Sequence, residues 1–133
     1  MKKNYLAKII AKDPEGLQLI SACCFKAKIK INEIKFLRKN KVFLVLLERF
    51  NHEKNENNQK INSICKFEFV DNVKSKNINQ NSQDLTLELL AINYLKNRDN
   101  FEITLLFVNN AFITLSTEII EVTLEDQNLK KND

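Results

Sequence analysis

Apolar and polar residues alternate with a period of two along most of this chain. Phe25, Ala27, Ile29 and Ile31 stand against Lys26, Lys28 and Lys30, and further strand-like runs follow at 34–37, 42–50, 64–73, 85–95, 101–108 and 111–116. Successive side chains of a strand point to opposite faces, so such a run describes a strand with one buried and one wet side. In Val42-Phe43-Leu44-Val45-Leu46-Leu47 both faces are apolar, which predicts a central strand covered on each side. Residues that punctuate strands are scarce, with one Gly and one Pro in 133 residues.

The same shortage limits chemistry. Gly16 is the sole glycine, so a glycine-rich phosphate loop is excluded. One His and no Trp stand beside nine Phe and 44% hydrophobic residues, an inventory that describes a core better than a reactive site. A chain of this length buries roughly two thirds of the surface its unfolded form exposes, so its core needs no staple. Residues 1–125 are read as a single globular domain and 126–133 as a frayed C-terminal tail.

One helix interrupts the strands. A short strand at 5–11 stops at Asp13-Pro14-Glu15, where Asp13 suits the N-cap, Pro14 the first helical position and Glu15 the positive end of the dipole. Leu17, Ile20, Cys24 and Ala27 then recur at helical spacing, which predicts an amphipathic helix from Pro14 to about Cys24. Gly16 weakens its first turn. Asn40, between the strands at 34–37 and 42–50, suits the positive φ of a hairpin, and Asn109-Asn110 is a second turn signal. Residues 51–60 and 77–83 read as polar connections. Residues 118–124 fit a strand or the start of a terminal helix, and the β-branched run favours a strand. The expected class is α+β: a mostly antiparallel, strongly bent sheet or partly open β-barrel of seven to eight strands with one N-terminal helix.

Cysteine usage and the N-terminus place the chain in the cytoplasm. Cys23, Cys24 and Cys65 are odd in number and two are adjacent, which fits a reducing compartment. The apolar stretch before Asp13 is too short and polar for a secretory leader, and no segment approaches the ~20 apolar residues of a membrane-spanning helix. No cofactor is expected. A Cys3His metal site would need closely spaced ligand pairs, whereas Cys23 and Cys24 point to different sides of a helix. His52 falls in the least constrained stretch and reads as a surface residue rather than a general base.

Charge supplies the remaining candidates. Residues 1–60 hold 14 Lys and Arg against 6 Asp and Glu, a net +8, while 61–133 hold 7 against 11, a net −4. The split favours self-association as a homodimer or an anionic partner. Lys26, Lys28 and Lys30, extended by Lys35, Arg38, Lys39 and Lys41, form the best polyanion constellation, able to track phosphates of nucleic acid. Phe25, Phe36 and Phe43, the aromatics nearest them, belong by spacing to apolar faces and so supply no platform for bases. Lysine on a strand also protects an edge from aggregation, and nineteen Asn beside a lysine-rich cation set fit a compositional bias of the source genome. Arg49 is the charged residue inside an otherwise apolar strand; it pairs with Glu68 or Glu88, or lines a pocket.

The order of elements resembles a small bacterial family of unknown function, the domain of unknown function numbered twenty-nine forty-eight. The resemblance rests on Asp13, Leu17 and Ile20-Ser21-Ala22, on Phe36-Leu37 with Phe43-Leu44-Val45-Leu46 and Arg49-Phe50, and on Val73-Lys74-Ser75 with Ile78. Leu89-Leu90-Ala91-Ile92 and Ile119-Ile120-Glu121-Val122 extend it over about residues 6 to 125. These are mostly core positions, so it implies a shared fold and carries no activity. The sequence therefore points to a non-catalytic binding or assembly module acting on a protein partner or on itself. A polyanion or nucleic-acid binder is the first alternative, and a small-molecule enzyme with a pocket near Arg49 the second.

Overall fold

The computed structural model describes residues 7–50, 60–82 and 84–127. Its chain order is β1 (Lys8–Ala11), α1 (Pro14–Cys23), β2 (Lys28–Lys30), a 3-10 turn (Ile31–Glu33), β3 (Ile34–Leu37) and β4 (Val42–Phe50). Then follow β5 (Lys60–Phe67), β6 (Val70–Lys76), β7 (Thr86–Asn97), β8 (Asn100–Phe107), β9 (Ala111–Thr117) and β10 (Val122–Asp126). The sheet is open, in the order β1-β10-β5-β4-β2-β7-β8-β9-β6, with β3 paired to β4 alongside. Every pairing among the described residues is antiparallel.

Ten strands replace the seven or eight expected. The run at 64–73 is not one strand: β5 ends at Phe67 and β6 begins at Val70. Phe69 takes a left-handed φ of 60° between them. The Glu68 amide donates to the Glu121 carbonyl and the Glu118 amide to the Phe69 carbonyl, so this break is tied to the approach of β10. An aromatic residue at positive φ carries no turn signature, which is why the break is invisible in the sequence.

The helix starts as read. Asp13 accepts a hydrogen bond from the Gly16 amide at 2.8 Å and Pro14 occupies the first turn. Leu17, Ile20 and Cys24 are fully buried, as is Ala27 just beyond the helix. Gly16 has a positive role in addition to its helix cost: a Cβ there would stand 3.0 Å from Ala11 Cα and Cβ, so the bare backbone lets α1 lie against β1. Asp13→Ala should cost about 1 kcal/mol through loss of the cap, read as a lower midpoint in urea unfolding with an unchanged slope.

β7 joins the two halves of the sheet. Its Thr86–Glu88 stretch pairs with β2 and its Leu89–Asn97 stretch with β8, the second ladder containing a register shift between Leu89 and Ala91. Beyond the N-terminal end of β2, Ser21 Oγ of α1 accepts the Ile92 amide at 2.8 Å, so the helix takes over part of the strand edge. The sheet thereby turns back on itself, and residues of both halves, from Ala11 to Leu124, share one buried cluster. Phe43 and Phe67 meet within it at 6.0 Å between ring centroids.

Several local expectations are corrected. β2 has three residues, because Lys26 adopts a φ of 69° and the chain enters a 3-10 turn at Ile31. Phe25 precedes the strand and is exposed rather than on its apolar face. In the β3–β4 hairpin the left-handed residue is Lys41 (φ 57°), not Asn40. β4 is central in pairing, yet its outer face is not covered, since Leu46 is 41% exposed. Asn109 and Asn110 both adopt positive φ, within a three-residue connection between the paired Phe107 and Ala111. Residues 118–124 contain the start of β10, a strand as favoured, with Ile120, Val122 and Leu124 buried. Asp126 closes that strand instead of opening a tail. His52 and most of the 51–60 connection lie outside the described residues.

Candidate functional site

Two features lie side by side at one end of the β4–β5–β10 ladder: a buried polar cluster and an open cavity. The register explains the first. Ser63 is opposite Leu47 on β4 and opposite Asp126 on β10, and Arg49 is opposite Ile61. Arg49, Ser63 and Asp126 therefore stand on the same interior face of three adjacent strands.

Arg49 Nε donates to Asp126 Oδ1 at 3.0 Å and to Ser63 Oγ at 3.2 Å, and Nη2 donates to Asp126 Oδ2 at 2.8 Å. Ser63 Oγ donates in turn to Asp126 Oδ1 at 2.6 Å, and the Ala7 amide donates to Oδ2 at 2.8 Å. The Arg49 and Asp126 side chains are 2% and 1% exposed. Burial pushes the Asp126 carboxyl up, but hydrogen bonds from Arg49, Ser63 and Ala7, with the guanidinium charge, outweigh it and hold the carboxyl below its ordinary value. Burial likewise opposes the charge on Arg49, yet the Asp126 carboxylate raises its proton affinity further. The cluster is a charge-assisted, bidentate pair with both carboxylate oxygens engaged.

Arg49 thus pairs with neither Glu68 nor Glu88. Glu68 sits 3.7 Å from Lys66, and Glu88 pairs with Lys28. The true partner is 77 residues away, at a position the sequence reading gave to the tail. The thiols belong to the interior too. Burial, with a smaller contribution from Cys23, pushes the Cys24 thiol up to about 12, and burial raises Cys65 well above the usual thiol range. Both stay protonated near neutrality, which removes thiolate chemistry from them. Among the described residues no group of three His, Cys, Asp or Glu side chains is arranged to hold a metal ion.

The cavity has a volume of about 980 Å³ and is bounded by β2, β4, β5, the start of β7 and the β8–β9 turn. Ser63 lines it while Arg49 does not, and the Ser63 hydroxyl is taken up by Arg49 and Asp126, so the two features meet at β4 and β5 with the buried pair on the interior face. Its charged lining consists of Lys28, Lys30, Glu33, Glu48 and Glu88; its apolar lining includes Leu46, Leu87 and Val108. Asn62, Thr86, Asn109 and Gln127 add neutral hydrogen-bonding groups. The site is more acidic than the +4 of the whole chain, and nothing in the local sequence signals it, because its walls come from seven separate segments.

The seven cations of the polyanion constellation are dispersed. Lys28 and Lys30 face the cavity, Lys35 lines a second, smaller cavity, and Lys26 lies in the turn before β2 with its ammonium 5.5 Å from the Phe25 ring centroid. Arg38 stacks 5.2 Å over the Phe36 ring. Lys41 pairs with Asp71 at 3.1 Å, while Lys39 stands in the same hairpin turn. Acids interleave the row, with Glu48 and Glu88 opposite Lys28 on the two flanking strands.

No helix among the described residues is long and apolar enough to cross a membrane. Neither curated proteins nor solved structures match this chain. Over residues 7–132, including every element of the cavity wall and the Arg49 cluster, the chain matches the family described as Protein of unknown function (DUF2948), and it belongs to that family.

Proposed function

We propose that this domain is a non-catalytic binding module whose working site is the cavity beside the Arg49 cluster. One observation carries the reading: about 980 Å³ of space, framed by β2, β4, β5 and β7 with turns at its rim, with apolar walls and charges of both signs. That volume is at the upper end of the roughly 300–1,000 Å³ usual for small-molecule sites. Leu46, Leu87 and Val108 fit an apolar body, and Lys30 and Glu33, beside the Lys28–Glu88 and Lys60–Glu48 pairs, fit a zwitterionic or amine-bearing end. The cluster beneath supplies rigidity, not reactivity, because the guanidinium and carboxylate already satisfy each other. That arrangement argues against the enzyme reading at Arg49.

The test is a thermal-shift screen of small zwitterions and amines against the wild-type chain and Val108→Trp, which fills the cavity mouth. A ligand at one hundred times its Kd adds about 2.7 kcal/mol, a rise in Tm on the order of 8 °C for a chain of this size. The rise should vanish in the variant while its unliganded Tm stays near wild type. Equal rises in both proteins would remove the cavity from the account.

Assembly is a second reading that competes for the same surface, since the exposed Leu46 of β4 also lines the cavity. Light scattering that shows a strict monomer at high concentration counts against it. The polyanion reading is weaker, since acids stand across from Lys28 on both sides.

A further inference from the structure

The open sheet leaves a second opening, between β3 and β6. β3 pairs only with β4 and β6 only with β9 among the described strands, so each keeps one edge without a strand neighbour. A cavity of about 400 Å³ lies between them, lined by Ile34, Lys35 and Phe36 of β3 and by Val73 and Ser75 of β6. Ile78 and Gln80, whose side-chain amide donates to Ser75 Oγ at 2.7 Å, bound it at one end, and the Val70 amide bonded to the Lys41 carbonyl draws β6 to the β3–β4 hairpin at the other. Phe36 is in register with Phe43, and Ser75 with Ile113. Phe43 and Ile113 are buried and both reach the cavity floor, so the gap opens onto the interior faces of the two halves.

The alternation of a strand then fixes where the charges stand. With Phe36, Val73 and Ser75 facing inward, Lys35 on one side and Lys74 and Lys76 on the other face outward. Among the described residues no carboxylate lines the gap. The one acid within β3 or β6, Asp71, is paired with Lys41.

We infer that the gap between β3 and β6 receives an extended peptide of about four residues, alternately apolar and acidic, added as a strand against the β6 edge. β3 is four residues long, about 13 Å at the rise of a strand. In such a peptide the apolar side chains cover Phe36, Phe43, Val73 and Ile113, while its carboxylates lie beside Lys35, Lys74 and Lys76 as cross-strand ion pairs. This site is separate from the cavity beside Arg49 and stands or falls independently of it. The lysines fit both edge protection and recognition. A peptide of opposite charge distinguishes the two.

The experiment is fluorescence anisotropy with labelled octapeptides that alternate Val or Ile with Glu, and with the same peptides carrying Lys for Glu, together with amide hydrogen exchange of β6. Saturable binding of the acidic peptide and slowed exchange of those amides at 73–76 that point away from β9 are expected, with no binding of the basic one. Lys35→Glu/Lys74→Glu/Lys76→Glu should weaken the acidic peptide by about tenfold or more and reverse the preference, because three cross-strand charge pairs change sign. Should that variant fail to fold, a peptide with one Pro at a central position serves instead: loss of its binding to the wild-type chain supports strand addition. Several results would overturn the inference: no binding of the acidic peptide, equal binding of the proline peptide, or retention of a nucleic-acid oligomer in competition with the peptide. So would protection, in the peptide-free monomer or only in a dimer, of the β6 amides that point away from β9, since the gap would then belong to this chain or to a second copy.

Discussion

Asp126→Ala is expected to lower stability by roughly 3–5 kcal/mol, because it leaves the Arg49 guanidinium buried without its counter-charge. The same substitution removes the acceptor of the Ala7 amide and of Ser63 Oγ, which adds to the loss. Equilibrium denaturation checks it. The partner experiment separates a buried charge from a lost contact: Arg49→Met with Asp126→Leu should recover most of the loss, since apolar groups in place of a buried ion pair leave no charge to desolvate. A double variant no more stable than Asp126→Ala would show that packing, not charge, is at stake.

This pair also sets an acid limit. The folded carboxyl of Asp126 is held below its ordinary value, so its contribution is present above the unfolded pKa of about 3.9 and is lost as pH falls through the folded value. The wild-type chain should lose this stability below about pH 4, and the double variant should lack that component of the pH profile.

Phe67→Ala should cost about 3–5 kcal/mol, the usual range for deleting a buried aromatic ring. Phe67 is fully buried, stands opposite both Phe43 and Val122, and so ties β4, β5 and β10 together at the end where the chain crosses into β6. Denaturation in urea provides the measurement, with Phe67→Leu as the milder comparison. A loss under about 1 kcal/mol for the alanine variant would mean that the core collapses into the space, contrary to the close packing of a shared interior.

Local signals were legible where one segment contains both halves of an interaction. The Asp13 cap and Pro14 lie within a turn of each other, the Asn109-Asn110 turn carries its own backbone preference, and Leu17, Ile20 and Cys24 trace one apolar stripe. What was not legible depends on chain crossings. Lys26, Lys41, Phe69 and Arg98 take left-handed backbone that sequence rules reserve for Gly or Asn, and a chain with one glycine has to place other residues there. Asp126 looked like tail because its value lies in Arg49, which no local pattern connects to it. Leu46 looked buried because both faces of its run are apolar, yet the sheet turns only one of them inward. The cavity beside Ser63 was beyond reach for the same reason, its walls being strands distant in sequence.

The central claim is that Arg49 is consumed by the fold and that ligands go to the cavity next to it. The most direct measurement is a nitrogen-15 NMR titration with zwitterionic and amine fragments that follows backbone amides and the Arg49 Nε–H signal together. The account predicts shifts at Lys30, Asn62, Leu87 and Val108 with the Arg49 side-chain signal slow to exchange and unmoved. Fragments that displace the Arg49 signal while leaving those amides in place would contradict it.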